Sequence, residues 1–262
     1  MISILGCGWL GMPLAKYFIK KNILIKGSTT KIEKIQTLID EGISPYLLSL
    51  DPKPIGESWD DFLNNEILII NIPPKIASKG NSFHLNQINF LIEKIKLSTV
   101  KKIIYISSTS VYPDSNSLVV ERGEVIDENA MVKAEFQLKS LSLSITILRC
   151  GGLMGYDRIP GKYFANKEIF NADTPVNFIH RDDVISAINF IITSNVWNET
   201  FNIVSPIHPF RRDIYNKNAI DLNINLPIFK NSKEQQTFKI VNSDKIQNLG
   251  FQFKFPDPLF FT

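Results

Sequence analysis

Three glycines near the start of the chain have the spacing of a phosphate-binding turn. The apolar run Ile2–Leu5 leads into Gly6-Cys7-Gly8-Trp9-Leu10-Gly11, and a helical pattern follows. In a G-x-G-x-x-G turn the first glycine permits a tight bend, the second lets backbone amides approach a pyrophosphate, and the third lets the helix pack against the strand. The helix N-terminus adds N–H groups and partial positive charge. Glycine turns also end strands for steric reasons alone, but this placement favours a dinucleotide site made by Gly6, Gly8, Trp9, Leu10 and Gly11.

The turn after the second apolar run indicates which dinucleotide binds. An NAD site usually carries Asp or Glu about 20 residues beyond the glycines, where it bonds the ribose 2′-hydroxyl. Here the turn reads Ser28-Thr29-Thr30-Lys31, and the next carboxylate is Glu33. Hydroxyls and an ammonium group suit a 2′-phosphate. We therefore expect NADP, with NAD possible, although Thr30 could also simply cap the helix that starts near Lys31.

The elements that position these residues alternate between strand and helix over the first 150 residues. Such alternation predicts an α/β fold with a doubly wound parallel Rossmann sheet, in which residues 1–150 form the NAD(P)-binding domain. Tyr46–Leu50 is predicted as the third strand and His208–Asp221 as a late helix. The pattern loosens after residue 150. We expect residues 151–262 to form a small C-terminal substrate cap, with residues 176–205 returning to the Rossmann sheet.

Composition excludes several classes of protein. The 262 residues carry a net charge of +3 without a long basic cluster, which argues against nucleic acid as a partner. No apolar run reaches the length of a membrane span. Two cysteines in apolar contexts and a core strand directly after Met1 predict a reduced, cytoplasmic protein. The scattered histidines and cysteines speak against a metal site. We expect a monomer or homodimer that acts on a small-molecule substrate.

Four further segments follow in the order of a known family. The serine-rich strand end Ile106–Tyr112 is followed by segments Leu148–Gly155, Asn177–Val184 and Thr200–Val204. Together with the glycine turn, they resemble the extended short-chain dehydrogenase/reductase family. The resemblance covers residues 1 to about 205 and is greatest to an atypical branch of NAD(P)-dependent epimerase/dehydratase-like proteins.

The resemblance implies an active site of serine, tyrosine and lysine, the last two spaced Tyr-x-x-x-Lys. Ser108 matches the serine and Lys133 the lysine, but Asn129 stands at the tyrosine position. An amide is no general acid or base near neutral pH. Tyr112, or a cap tyrosine such as Tyr156 or Tyr163, could supply the missing phenol.

The resemblance also assigns residues to the cofactor and a class of reaction to the chain. The end of the fourth strand lines the cofactor in the family, and with the first serine of the fifth strand end it implies cofactor contacts at Asn71, Ile72, Pro73 and Ser107. The prolines could equally only end that strand. The implied activity is an oxidoreductase or epimerase reaction on a nucleotide-sugar-like or other small hydroxyl or carbonyl substrate. The alternative is a non-catalytic NADP-binding sensor or scaffold.

Overall fold

The computed structural model of the chain describes residues 1–230 and 236–261. The strands in these ranges are β1 (Ile2–Leu5), β2 (Ile25–Thr29), β3 (Ser44–Leu47), β4 (Ser49–Leu50), β5 (Pro54–Ile55), β6 (Ile67–Ile70), β7 (Lys102–Ser108), β8 (Ser117–Val119), β9 (Ser144–Cys150), β10 (Gly152–Met154), β11 (Glu168–Ile169), β12 (Phe178–His180), β13 (Thr200–Ile203), β14 (Ile228–Phe229) and β15 (Lys239–Val241).

Helices connect most of these strands. The α-helices are α1 (Gly11–Ile19), α2 (Ile35–Asp40), α3 (Trp59–Phe62), α4 (Ile76–Lys79), α5 (Asn81–Lys96), α6 (Ala130–Lys139), α7 (Arg181–Thr193), α8 (Arg211–Asp221) and α9 (Asp244–Gln247). Short 3-10 helices occupy Ile32–Lys34, Thr109–Val111, Pro160–Phe164 and Pro258–Phe260.

One seven-stranded parallel sheet organises the fold, in the order β13-β9-β7-β6-β1-β2-β3. All four residues of β1 are buried, and so are three of the four in β6, as expected for parallel strands covered by helices on both faces. The chain runs outward from β1 through β2 to β3 and then resumes on the other side of β1 with β6. This reversal opens a crevice at the carboxyl ends of β1 and β6, the usual ligand position in such sheets. The predicted doubly wound Rossmann sheet is confirmed.

The chain folds into two compact units. The first contains residues 1–107, 126–148 and 191–200, and the second contains residues 108–125, 149–190 and 201–262, of which 231–235 and 262 lie outside the described residues. The first unit holds the glycine turn, α1, α5 and α6. The second holds α8 and three strand pairs, β10 with β12, β11 with β14 and β8 with β15. Strand β13 forms one edge of the large sheet, and β3 forms the other. The division into a cofactor domain and a cap at residue 150 stays a prediction.

Two sequence-based element boundaries were wrong. The predicted strand Tyr46–Leu50 is split, because β3 ends at Leu47 while β4 leaves the sheet and pairs with β5 in antiparallel register. The late helix begins at Arg211 instead of His208, since Phe210 has extended backbone as the N-cap residue and pairs with Pro175. In both places the backbone pairs with another segment, and this pairing overrides the apolar pattern of the sequence.

Candidate functional site

The fold itself requires two glycines of the turn. Gly6 has a φ of +104°, and a Cβ there would lie 2.3 Å from the carbonyl oxygen of Asn71. A Cβ at Gly11 would lie 2.2 Å from the carbonyl oxygen of Gly6. Both contacts are with backbone atoms, which cannot move aside as the end of a flexible side chain can. These two glycines are therefore explained by the close approach of β1, β6 and α1.

Gly8 is different. A Cβ at this position would meet nothing within 4 Å, and its φ lies outside the left-handed region. Each of the other 12 glycines has either a positive φ or a neighbouring atom at 3.0 Å or closer to the position of a Cβ. Gly8 is thus the one glycine of the chain that the folded protein does not need. The open space above it is what a bound pyrophosphate would fill.

Neighbouring side chains hold the turn in place. The Gly6 N–H donates to Ser28 Oγ at 2.9 Å, and Asn71 Nδ2 donates to the Gly6 carbonyl oxygen at 2.9 Å. Helix α1 has no side-chain cap and no acidic residue in its first turn. The N-terminus of α1 therefore carries no negative side chain that would repel an anion. The donor set fits a dinucleotide pyrophosphate.

The end of β2 divides the four residues predicted to contact a 2′-phosphate. Ser28 and Thr29 are buried, and Thr29 Oγ1 accepts the Lys31 N–H at 3.2 Å. Ser28 Oγ is the acceptor for Gly6 already described. Thr30 and Lys31 are exposed. Two of the four side chains therefore shape the turn, and two present a hydroxyl and an ammonium group to the surroundings.

The two consecutive serines at the end of β7 have different partners. Ser107 Oγ donates to Glu135 Oε1 on α6 at 2.5 Å, and both residues are buried, with 4% and 3% of their surface exposed. Ser108 Oγ accepts the Ser110 N–H at 3.1 Å and caps the 3-10 helix Thr109–Val111. Only Ser108 is placed as a side chain that could turn to a ligand.

Tyr105, two residues before Ser107 on β7, is buried against His84 of α5. Gln87 Nε2 donates to the Leu50 carbonyl oxygen at 2.7 Å, so its Oε1 accepts from His84 Nδ1 at 3.0 Å. His84 Nε2 then accepts the Tyr105 hydroxyl at 2.6 Å. Burial lowers the pKa of His84, and burial with the nearby charge of Glu135 raises the pKa of Tyr105 well above its usual value. This pair is neutral at physiological pH.

Tyr112, the first substitute for the missing phenol, lies in the second unit and is completely buried. Its hydroxyl donates to Asn202 Oδ1 at 2.7 Å and accepts from Arg149 Nη1 at 2.8 Å. Burial raises the pKa of Tyr112, and Arg149 offsets part of that effect. A raised pKa opposes proton transfer near neutral pH. The catalytic role of Tyr112 stays a prediction, and its contacts are those of a structural tyrosine.

Tyr156 and Tyr163, the other candidate phenols, are more exposed than Tyr112. The Tyr156 hydroxyl donates to Asp182 Oδ2 at 2.7 Å, and the Arg181 guanidinium lies over the Tyr156 ring at 4.0 Å. Asp182 raises the pKa of Tyr156. Tyr163 is exposed in the 3-10 helix Pro160–Phe164. Both phenols are accessible in the second unit.

The other predicted site residues follow β6 or belong to α6. Ile72 is half-buried and Pro73 is exposed just beyond the end of β6. The Asn129 side chain accepts the Met131 N–H at 2.8 Å and so caps α6, which gives the asparagine a local reason for its position. Lys133 Nζ bonds Glu128 in a partly exposed ion pair. Sequence reasoning missed Glu135, although a charged residue on the apolar face of Met131, Ala134 and Leu138 could have indicated it.

Three further features were considered for the described residues: a membrane-spanning helix, a metal-ion cluster and a reactive cysteine. Within residues 1–230 and 236–261, no helix is long and apolar enough to cross a membrane. The same ranges contain no group of three or more His, Cys, Asp or Glu residues that could hold a metal ion. Burial raises the pKa of Cys7 and of Cys150 to about 12, so both remain thiols.

Comparison with known proteins places the chain in a family. No protein-family model matches it. Protein YeeZ of Escherichia coli strain K12 is 34% identical over 266 residues, which cover 98% of this chain and 97% of YeeZ. The chain belongs to the YeeZ family.

Solved structures with the fold of this YeeZ-family chain share little of its sequence. A UDP-Glc/GlcNAc 4-epimerase from Campylobacter jejuni has a TM-score of 0.80 at 16% identity, over 98% of this chain and 95% of the epimerase. A short-chain dehydrogenase/reductase superfamily protein from Agrobacterium tumefaciens with bound NAD has a TM-score of 0.77 at 13% identity, over 97% and 92% of the two chains. At these identities the similarity establishes a common Rossmann-like fold.

Proposed function

We propose that this YeeZ-family protein binds NAD(P) at the glycine turn and acts as an oxidoreductase or epimerase. Its substrate would be nucleotide-sugar-like or another small hydroxyl or carbonyl compound. The nicotinamide, when bound, would accept a hydride from the substrate or donate one to it. The similar folds of a UDP-Glc/GlcNAc 4-epimerase and of a short-chain dehydrogenase/reductase superfamily protein with bound NAD support this class of function.

Gly8 carries the proposal. The fold needs Gly6 and Gly11, but the absence of a side chain at Gly8 serves no contact within the protein. A ligand that approaches the backbone explains it, and the N-terminus of α1 beside it favours a phosphate.

The test is a Gly8→Val variant measured by calorimetric titration with NADPH. The side chain would occupy the space of the pyrophosphate, so we expect at least a tenfold loss of affinity, about 1.4 kcal/mol or more. Circular dichroism should match the wild type and the unfolding midpoint should be no lower, because the open space accepts the side chain. Unchanged NADPH affinity in this folded variant would refute the assignment of the turn.

We propose further that NADP is preferred over NAD. Thr30 and Lys31 are exposed at the end of β2, and Lys31 would contribute a point charge to the 2′-phosphate. Titration of both dinucleotides should show tighter binding of NADPH, and Lys31→Ala should bring the two affinities closer by about tenfold. Lys34→Ala, another exposed lysine just beyond the turn, is the matched control. Equal affinities in the wild type, or a preference for NADH, would contradict the proposal.

For the chemical step we propose Ser108 and Lys133 as the residues that bind and orient the reacting groups. Ser108 would hydrogen-bond the carbonyl or hydroxyl of the substrate, and Lys133 would hold the nicotinamide ribose. Lys133 is engaged by Glu128 in a partly exposed ion pair, which is weak enough to exchange partners. Without a tyrosine at position 129, turnover should lack the usual pH dependence and be slow on simple alcohols.

A second candidate is a non-catalytic NADP-binding protein. Asn129 caps α6, and the hydroxyl of Tyr112 is committed to Asn202 and Arg149, which favours this reading. In that case neither Ser108→Ala nor Tyr112→Phe would alter the response of the protein to bound NADP. Gly8→Val would alter it, because the dinucleotide would no longer bind. Substrate-dependent oxidation of bound NADPH that is lost in Ser108→Ala would rule this candidate out.

A further inference from the structure

The last two residues of β7, Ser107 and Ser108, both carry a hydroxyl group that could face a ligand. Successive side chains of a strand point to opposite faces, so Ser107 and Ser108 cannot both face the same ligand. A slip of one residue would exchange their places. Because Thr109 and Ser110 follow, the local sequence of hydroxyl residues does not determine which serine faces inward.

In the structure, a hydrogen bond to Glu135 holds Ser107 as the serine that faces inward. Glu135 lies on the buried face of α6 and accepts the Ser107 hydroxyl at 2.5 Å. A slipped strand would leave the Glu135 oxygen without the Ser107 hydroxyl in the interior, where a lost hydrogen bond is expensive.

A second polar pair acts on the same face of β7. The side chain of Tyr105, two residues before Ser107, donates to His84 of α5 and also contacts Met131 Sδ of α6 at 3.5 Å. Buried polar pairs are often no more stabilising than apolar residues of the same volume, but they can select one register among several. Two such pairs, two residues apart, therefore fix β7 against both helices.

We propose that Glu135 is a positioning residue, which acts through Ser107 to place Ser108 at the ligand. This rests on the proposed function of the site, since Ser108 matters only if a nicotinamide or substrate binds beside it. The proposal assigns Glu135 a role distinct from that of Lys133, which lies on the same helix but is directed to the surface ion pair with Glu128.

The test compares Glu135→Ala, Glu135→Gln and Ser107→Ala with Gln137→Ala, an exposed control on the same helix. The first readout is hydrogen exchange of the Ser110 amide without ligand, because that amide donates to Ser108 Oγ. We expect exchange to be about tenfold faster in Glu135→Ala and Ser107→Ala. Glu135→Gln should remain close to wild type, since its amide oxygen still accepts the Ser107 hydroxyl.

The second readout is the fluorescence of bound NADPH, which reports the surroundings of the nicotinamide. We expect Glu135→Ala and Ser107→Ala to lose most of the fluorescence change seen with the wild type, while the affinity for ADP-ribose, which lacks the nicotinamide, stays the same. Glu135→Gln and Gln137→Ala should retain the full change.

The outcomes separate two kinds of failure. If wild-type protein binds no NADPH, the proposed function fails, and the exchange of the Ser110 amide still decides whether Glu135 positions Ser108. If NADPH binds, but the alanine variants show wild-type fluorescence and differ only in their unfolding midpoints, Glu135 is merely structural and our inference is wrong. Loss of the signal in Glu135→Gln as well as in Glu135→Ala would also overturn it, because the hydrogen bond would then not be the cause.

Discussion

The glycine turn after β1 and the serine-rich end of β7 both lie at the carboxyl edge of the same sheet, yet they are built from different parts of the chain. In the turn, the groups offered to a ligand are backbone amides and an empty space over Gly8. At the end of β7, they are side chains whose direction depends on partners 28 residues away, as for Ser107 and Glu135. One site is made by local conformation, and the other by packing.

This difference determines how each region responds to change. A backbone-made site requires that certain side chains be absent, so the identity of three glycines describes most of it. A site made of side chains requires that each group be held by another, so its residues cannot be understood one at a time.

The largest effect should separate the glycines of the turn from one another. Gly11→Ala places a Cβ 2.2 Å from a backbone oxygen, and we expect it to lower the free energy of unfolding by about 3 kcal/mol or more. Gly8→Ala enters open space and should stabilise the protein by up to about 1 kcal/mol, through the reduced entropy of the unfolded chain. Urea denaturation of both variants measures the difference. Equal losses of stability would mean that Gly8 is also a packing glycine.

A smaller effect is expected at Tyr112. Tyr112→Phe removes the hydroxyl that donates to Asn202 and accepts from Arg149, both in the interior of the second unit. Loss of these bonds should lower the free energy of unfolding by about 1–3 kcal/mol. NADPH affinity should stay within about twofold, or ~0.4 kcal/mol. A variant of wild-type stability that has lost its turnover would instead identify Tyr112 as the proton donor.

The smallest effect is the change of the free energy of unfolding with pH. It tests the region behind β7, where His84 can titrate. Burial lowers the pKa of His84, so below about pH 6.5 the unfolded chain binds a proton that the folded chain does not. The contribution of His84 to the free energy of unfolding should therefore fall as the pH decreases from 7.5 to 5.5, by at most about 1.4 kcal/mol in total. His180 and His208 have lowered pKa values and act in the same direction, whereas the raised pKa of Asp183 opposes them.

The control for this measurement is His84→Gln, which keeps a polar side chain beside Tyr105 but cannot titrate. Its urea midpoint should change less between pH 7.5 and 5.5 than that of the wild type. An identical pH dependence in the two proteins would show that the network behind β7 does not contribute.

Sequence patterns alone were sufficient for the sheet and the glycine turn. Alternation of apolar runs with helical spacing follows from the geometry of strands and helices, and Gly6, Gly8 and Gly11 act through backbone properties that spacing reveals. Packing decided the rest. Spacing could not distinguish Gly8, which the fold does not need, from Gly11, which it does, because the distinction lies in how close Asn71 and Gly6 approach.

The amino-acid sequence was enough to establish the Rossmann class of this protein, the place of its glycine turn and the presence of Asn129, not a tyrosine, four residues before Lys133. Three contacts could be seen only in the folded chain. The Ser107 hydroxyl donates to Glu135, Ser28 Oγ accepts the Gly6 N–H, and the Tyr112 hydroxyl is hydrogen-bonded to both Asn202 and Arg149. Backbone conformation depends mainly on residues nearby in the chain, and it can therefore be read from spacing. The direction and protonation of a side chain depend on partners that folding brings from far along the chain, and those partners leave no pattern in the sequence around it.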